Sequence, residues 1–468
     1  MMWLVALALA GEPRMLTLED ALAGAAEANP AVVRTQLAAT QAEADVRAAW
    51  GGFDPTLSLN GGWNTSSNLS FLPFLPTPLQ SSQSGWNLAT TLQATAPTGT
   101  GVRLTGEIDG SHQQGDSFQG PFERRTLSGT GSIGLSQELL RGVRLGYNLQ
   151  RVRRAREGLS LAELELEKVR AETRAATARA YWTWVQQVRL AEIASVSVAV
   201  AEEALRVGAA KVEAGELAPL ERTRLEAALV QARTTSLDAS HAARQSADAL
   251  LVLMGEASGA ELAPGSAVGE PSLLTLDDAA VAETAASQNL DVAIARARVD
   301  AARLALADAK HTMWPSLQAT VDGGVTANRV TEVGEDPTRG NFPQFAVGGT
   351  FSMPLGNRAA LGQLQRAGSE LALQETALAE AERQLRADVD QQLRVLRSAR
   401  QKVELADANV RLADETLRAE EALAAAGRAI LKDVLEARDG LDKARAEAVR
   451  ARVEVRLAEV ELERLTGG

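Results

Sequence analysis

The chain of 468 residues contains no cysteine and only three histidines, His112, His241 and His311, which lie far apart in sequence. It therefore has no disulfide, no thiolate nucleophile, no Cys-ligated zinc site and no lipid-bearing N-terminal cysteine. Aromatic residues are 4% of the chain against 45% hydrophobic. The apolar content is thus Ala, Leu and Val, the side chains of long helices and not of a thick mixed core. Positive charge is also short. With 48 basic against 60 acidic residues the net charge is −12, which disfavours a nucleic-acid or anionic-lipid surface partner, since both need clustered basic residues. No stretch approaches the ~18 to 20 uninterrupted apolar residues of a membrane-spanning helix. If the chain crosses a membrane, it does so as strands. No nucleophile–base pair or metal-ligand constellation stands out, so no enzyme activity, metal or cofactor is expected.

Residues 1–10 are apolar and end Ala8-Leu9-Ala10 before Gly11, the h-region and small-residue cleavage site of a secretory signal, although no Lys or Arg precedes them. A duplication organises the rest. Leu16-Thr17-Leu18-Glu19-Asp20-Ala21 returns as Leu274-Thr275-Leu276-Asp277-Asp278-Ala279, and each copy continues into an Ala-rich helix that stops at a Trp/Pro boundary. The expected plan is two repeats. Residues 11–270 carry short helices over 17–50, strands over 55–138 and a long helical hairpin over 146–255. Residues 271–468 carry the same series over 275–314, 316–354 and 359–466.

Strict period-2 alternation marks the strands. From Trp86 to Ala96 the even positions are mostly apolar and the odd ones mainly polar; 102–109, 127–136, 317–328 and 345–353 alternate likewise, and 55–63 does so less cleanly. Segments 64–85 and 110–125 are polar or Pro-rich and are expected as long loops. Alternation suits a soluble sandwich and a membrane barrel equally. Most Trp, Phe and Tyr residues fall in 50–147 and 314–351, several of them at strand ends, which suits the interfacial girdles of a barrel. The first copy has the longer strand region. Its extra material predicts four strands there against two in the second copy, or else a hairpin that projects outside the barrel.

Residues 159–207, 220–254 and 369–426 contain no Gly or Pro and far exceed an ordinary globular helix. In the last of these Leu371, Leu378 and Leu385 are spaced by seven, and Val389, Leu396, Val403, Val410 and Leu417 continue from four residues on, a coiled-coil seam. A rod over 146–213 is roughly 100 Å long at 1.5 Å per residue. Tyr181-Trp182-Thr183-Trp184 in mid-rod reads as packing between helices. The run Arg151 to Arg156 reads either as a contact for acidic lipid or as a solvated helix start.

With the duplicated opening, the strand-to-helix junctions 136–142 and 352–358, and Gly-centred turns at Gly215 and Gly427, the chain resembles the TolC-like outer-membrane factor family. The resemblance covers essentially the whole mature chain. It implies a mixed α and β fold: a homotrimer sharing one transmembrane β-barrel in the outer membrane of a Gram-negative bacterium, and one barrel of long antiparallel coiled-coil helices crossing the periplasm. It further implies a passive exit duct for solutes or polypeptides that docks to a periplasmic adaptor and, through it, to an inner-membrane transporter. The adaptor-contact turns are then Gly215, Leu217, Gly427 and Arg428. By register from the turns, Asp433 and Glu436 would face the pore constriction, joined by Glu221, and would favour cations. The Arg and Tyr that lock the entrance of some relatives have Ala429 and Ala424 at the matching positions. A periplasmic coiled-coil adaptor is the alternative, against which the two hairpins and the many alternating segments weigh.

Overall fold

A computed structural model describes residues 14–71, 78–117, 120–265, 277–332, 334–426, 428 and 431–467. The expected signal segment 1–10 lies outside them. In chain order the elements are β1 (Arg14–Leu16), α1 (Leu18–Ala28), α2 (Pro30–Trp50), β2 (Thr56–Ser70), β3 (Leu79–Thr95), β4 (Thr100–Ser117), β5 (Gly120–Glu138), α3 (Leu145–Asn148), α4 (Gln150–Glu213), α5 (Pro219–Leu253), β6 (Leu262–Pro264), α6 (Asp278–Gln288), α7 (Leu290–Thr312), β7 (Ser316–Glu332), β8 (Thr338–Ser352), α8 (Arg358–Ala425) and α9 (Leu431–Leu465). The chain divides into two compact units.

The helical unit comprises the described residues of 1–40, 161–296 and 376–468. Helix α8 is unbroken for 68 residues, and the seam read by sevens is its buried stripe: Leu385, Val389, Leu396, Val403 and Leu417 are all buried. Facing it, α9 buries Leu441, Ala444, Ala448, Ala451, Val455, Ala458, Leu462 and Leu465, a continuous a/d seam in which small Ala side chains admit the larger knobs of α8. Lys402–Glu454 at 2.6 Å and Arg452–Asp407 at 2.7 Å flank the seam. A second core gathers Tyr181, Trp182, Trp184 and Val185 with Leu16, Leu250, Met254 and Val453, and the Tyr181 hydroxyl donates to the Leu16 carbonyl at 3.3 Å. The mid-rod aromatics are therefore packing. β1 pairs in parallel with β6.

Two junctions have the same form. Asn29, between α1 and α2, donates through Nδ2 to the carbonyl of Leu253 near the end of α5, while its Oδ1 accepts from the Ala31 amide at 2.8 Å. Asn289, between α6 and α7, donates to the Leu465 carbonyl at 3.1 Å and accepts from the Val292 amide at 3.2 Å. Both asparagines have φ −63° and ψ 125°, and both are buried. The two helix starts upstream differ. At α1 the Thr17 hydroxyl accepts from the Asp20 amide while the Asp20 carboxylate accepts from the Thr17 amide, a capping box. The Thr17 hydroxyl also donates to the Asp20 carboxylate, and this bond, followed by that from the Thr17 amide, holds the Asp20 carboxyl below its ordinary range. At α6 the cap is Asp277, which accepts from the Ala279 amide.

The sheet unit comprises the described residues of 41–160 and 297–375. Its strands form one antiparallel sheet in the order β2-β3-β4-β5-β7-β8. The extra hairpin β3–β4 pairs within this sheet and does not project from it. Strands also extend through the polar stretches expected as long loops: β4 runs to Ser117 and β5 starts at Gly120. Ser, Gln and Gly residues there have no apolar face to alternate, yet they satisfy the backbone ladder as well as any others.

The β3–β4 turn is tied to the helical end of the sheet. Asn148 of α3 donates through Nδ2 to the carbonyls of Pro97 at 2.8 Å and Gly142 at 2.7 Å. Gly99 sits at φ +78°, where a Cβ would also collide with the Gly142 carbonyl, so only glycine fits. Close by, Asp308 of α7 is fully buried and accepts from Arg153 at 3.1 Å and Arg154 at 3.0 Å. Arg156 lies over the Trp50 ring. Within the basic run at 151–156, Arg153 and Arg154 are thus paired with Asp308, while Arg151, Arg154 and Arg156 remain exposed.

Candidate helix-tip gate and two-faced strand wall

The sheet register separates two chemistries. Reading across the strands, Leu92 stands opposite Leu57 and Leu104, Leu104 opposite Ile133, and Val102 opposite Leu135, which meets Val321 and then Val347. One face thus carries nearly every large apolar side chain of the ladder. They are exposed, for example Leu57 at 70%, Phe345 at 75% and Val347 at 68%. The opposite face carries Asn60, Asn87, Thr91, Arg103, Thr105, Glu107, Asp109, Ser132, Thr130, Asp322 and Asn328 in the matching rows. Phe342 is a large apolar residue on that polar face. From Leu317 to Ala327 the apolar face extends about 33 Å along β7, or ~23 Å of height at a 45° tilt. An apolar area of this extent is not left against water in a soluble protein. Midway along β2 and β3, Trp63 pairs directly with Trp86 on the apolar face. At the helical end of the sheet stand Trp50, Phe53 and Trp314.

In the helical unit, α4 ends in a Schellman turn. The Glu216 amide donates to the Lys211 carbonyl at 2.9 Å and the Gly215 amide to Val212 at 3.0 Å, with Gly215 at φ +77°. A left-handed residue closes such a turn and glycine has no Cβ penalty there. Leu217 is half-buried, its amide directed to the Lys211 carbonyl at 3.4 Å, and Pro219 opens α5. After α8, the Arg428 amide donates to the Leu423 carbonyl at 2.9 Å, the same six-to-one bond. Arg428 is exposed and Ala424 half-buried. Gly427 and Ala429 lie outside the described residues.

Three acidic residues follow the turns. Glu221 is half-buried and binds Arg224, one helical turn on, at 2.7 Å. Asp433 in the first turn of α9 is half-buried. Glu436 is exposed and meets Lys432 at 3.1 Å. Asp433 and Glu436 are three apart and share a face of α9. The acidic first turn also suits the positive end of the helix dipole. Sequence reading did not pair Arg224 with Glu221 or Lys432 with Glu436, although their i, i+3 and i, i+4 spacing was the available signal.

Outside the cores, two apolar seams remain uncovered. Val230 and Leu237 on α5 are 65% and 69% exposed, and Leu405 and Leu412 on α8 are 72% and 62% exposed. Each pair is seven apart, the spacing of a coiled-coil contact with another helix.

Residues 281–468 match the family model of the outer membrane efflux protein. No curated protein matches the sequence. Among solved structures, the Neisseria gonorrhoeae MtrE outer membrane channel in its open state is 17% identical, with a TM-score of 0.68 over 96% of this chain and 89% of that one. The Campylobacter jejuni CmeC outer membrane channel is 14% identical, with a TM-score of 0.68 over 96% and 85%. The Vibrio cholerae outer membrane protein VceC is 15% identical, with a TM-score of 0.66 over 96% of both chains. The chain carries the outer membrane efflux protein family's pattern over residues 281–468 and takes the fold of these outer membrane channels.

Proposed function

We propose that the protein is the passive exit duct of a tripartite efflux pump or type I secretion system, working as a homotrimer in the outer membrane of a Gram-negative bacterium and reaching into the periplasm. The two-faced sheet carries this reading. Its apolar face has the height of a bilayer core, and its polar face suits a water-filled lumen. Its edge strands β2 and β8 each leave one side of their ladder unpaired, a state that lipid does not tolerate and that closure with neighbouring copies removes. Three copies of the six-stranded sheet make a barrel of eighteen strands. The uncovered seams on α5 and α8 supply a matching helical contact between copies. The two junctions at Asn29 and Asn289 fit a chain built from two repeats.

The turns at Gly215, Leu217, Gly427 and Arg428 receive a periplasmic adaptor, which links the duct to an inner-membrane transporter. Asp433 and Glu436, with Glu221 beside them, line the entrance as stacked acidic rings that favour cations. No catalytic step is involved, and cargo moves by the energy of the partner transporter. Membrane fractionation tests the reading: the protein is expected in the outer-membrane fraction and to need detergent for extraction. Recovery in the soluble periplasm without detergent would remove it.

A further inference from the structure

Arg329 of β7 and Arg339 of β8 stand directly opposite each other in the ladder. Their row runs through Leu127, Gly110, Trp86 and Trp63, so both arginines point to the apolar side, at the end of the sheet away from the helices. Both are exposed. Like charges at directly opposed positions, with Cβ atoms only ~5 Å apart, repel each other. The nearby strand carboxylates are already engaged: Glu123 with Arg125 at 2.8 Å, and Glu332 with Arg124 at 2.5 Å on the polar side. Among the described residues no ion pair joins Glu335 or Asp336 of the β7–β8 turn to either arginine.

We infer that Arg329 and Arg339 form a clamp for a phosphate monoester on the headgroup of a lipid in the outer leaflet. The inference rests on the barrel reading above. Two guanidinium groups side by side present parallel N–H donors to a dianionic phosphate. Arg329 lies three residues before the end of β7 and Arg339 one residue after the start of β8, where a barrel strand passes from acyl chains to headgroups, and the apolar face below them receives those chains. A free phosphate offers the same headgroup chemistry without that second contact.

The test uses the full chain, purified as its assembly and reconstituted in phosphatidylcholine nanodiscs containing a small fraction of diphosphoryl lipid A. Native mass spectrometry of the ejected assembly should find lipid A retained above its bulk share. The R329Q/R339Q variant should lower that retention about ten-fold or more, as expected when charge-assisted hydrogen bonds are lost. Arg125→Gln, which removes a charge already neutralised by Glu123, should change it little. In phosphatidylcholine alone, R329Q/R339Q should be at least as heat-stable as the parent, because a repulsion has been relieved. Equal retention by R329Q/R339Q and parent, equal loss with Arg125→Gln, or equal retention of dephosphorylated lipid A overturns the clamp. So does inorganic phosphate stabilising the lipid-free protein as much as lipid A does. A chain that never enters the nanodisc overturns the barrel reading and the clamp with it; insertion with no arginine dependence overturns the clamp alone.

Discussion

Asn29 reaches across to the last turn of α5, its Nδ2 2.8 Å from the Leu253 carbonyl, and ties the junction of two short helices to the end of a long one. Asn289 makes the equivalent bond to Leu465. Each asparagine satisfies a helix-terminal carbonyl and an N-terminal amide at once, groups that would otherwise be buried without partners. Replacing either with Ala should cost about 1–3 kcal/mol. The fall in apparent melting temperature should be similar for the two single variants, and a negligible change in both would refute the role.

Asp308 should be less forgiving. Its carboxylate is fully buried against Arg153 and Arg154, so Asp308→Ala leaves two guanidinium groups without their counter-charge. Both guanidinium groups reach water in part, so a loss of about 1.5–3 kcal/mol is expected. It should appear as protease sensitivity near 140–160 and 300–315. A variant as resistant as the parent would show that water compensates the arginines.

If Asp433 and Glu436 line the proposed entrance, Asp433→Asn combined with Glu436→Gln should weaken cation preference and block by multivalent cations in planar bilayers. Lys432→Gln should do the reverse, since Lys432 is the cation that meets Glu436 at 3.1 Å. Unchanged selectivity in both variants would rule out a constriction at these residues.

The absence of cysteine makes single-cysteine scanning clean. Cysteines at Leu88, Leu92, Leu104 and Ile108 should react with lipid-soluble maleimides, and those at Thr91, Thr105 and Glu107 with water-soluble ones. The reverse pattern would turn the sheet inside out.

The α1 cap gives a pH dependence. Thr17 holds the Asp20 carboxyl below its ordinary value, so its contribution is present above the unfolded-state pKa and is lost as pH falls through the lower folded-state one. Thr17→Ala should flatten the acid limb of the stability profile. An identical limb in the variant would assign acid sensitivity elsewhere.

Periodicity made the regular parts legible in sequence. The α8 seam from Leu385 to Leu417 and the apolar faces of β3 and β4 repeat at 3.5 and 2 residues, and burial or register follows from the repeat alone. The α9 seam was not readable, because Ala444, Ala448, Ala451 and Ala458 do not stand out in an Ala-rich helix. Nor were the outer strand ends, where Ser and Gln occupy both faces. The pairing of Arg153 and Arg154 was unreadable for a different reason. Their counter-charge, Asp308, lies some 150 residues away, and no local rule pairs them. At the tips, turn chemistry located Gly215, whereas the acids there were placed by family register and not by their spacing.

The unpaired margins of β2 and β8 bear on how such a protein reaches its membrane. On the barrel reading, one copy alone has no resting state in a bilayer, since its open ladders would face hydrocarbon. Nor does it have a comfortable one in water, with its apolar face bare. Insertion and association then form a single event, steeply dependent on chain concentration. The lone chain needs an escort that shields both the sheet face and its two borders until the third copy arrives.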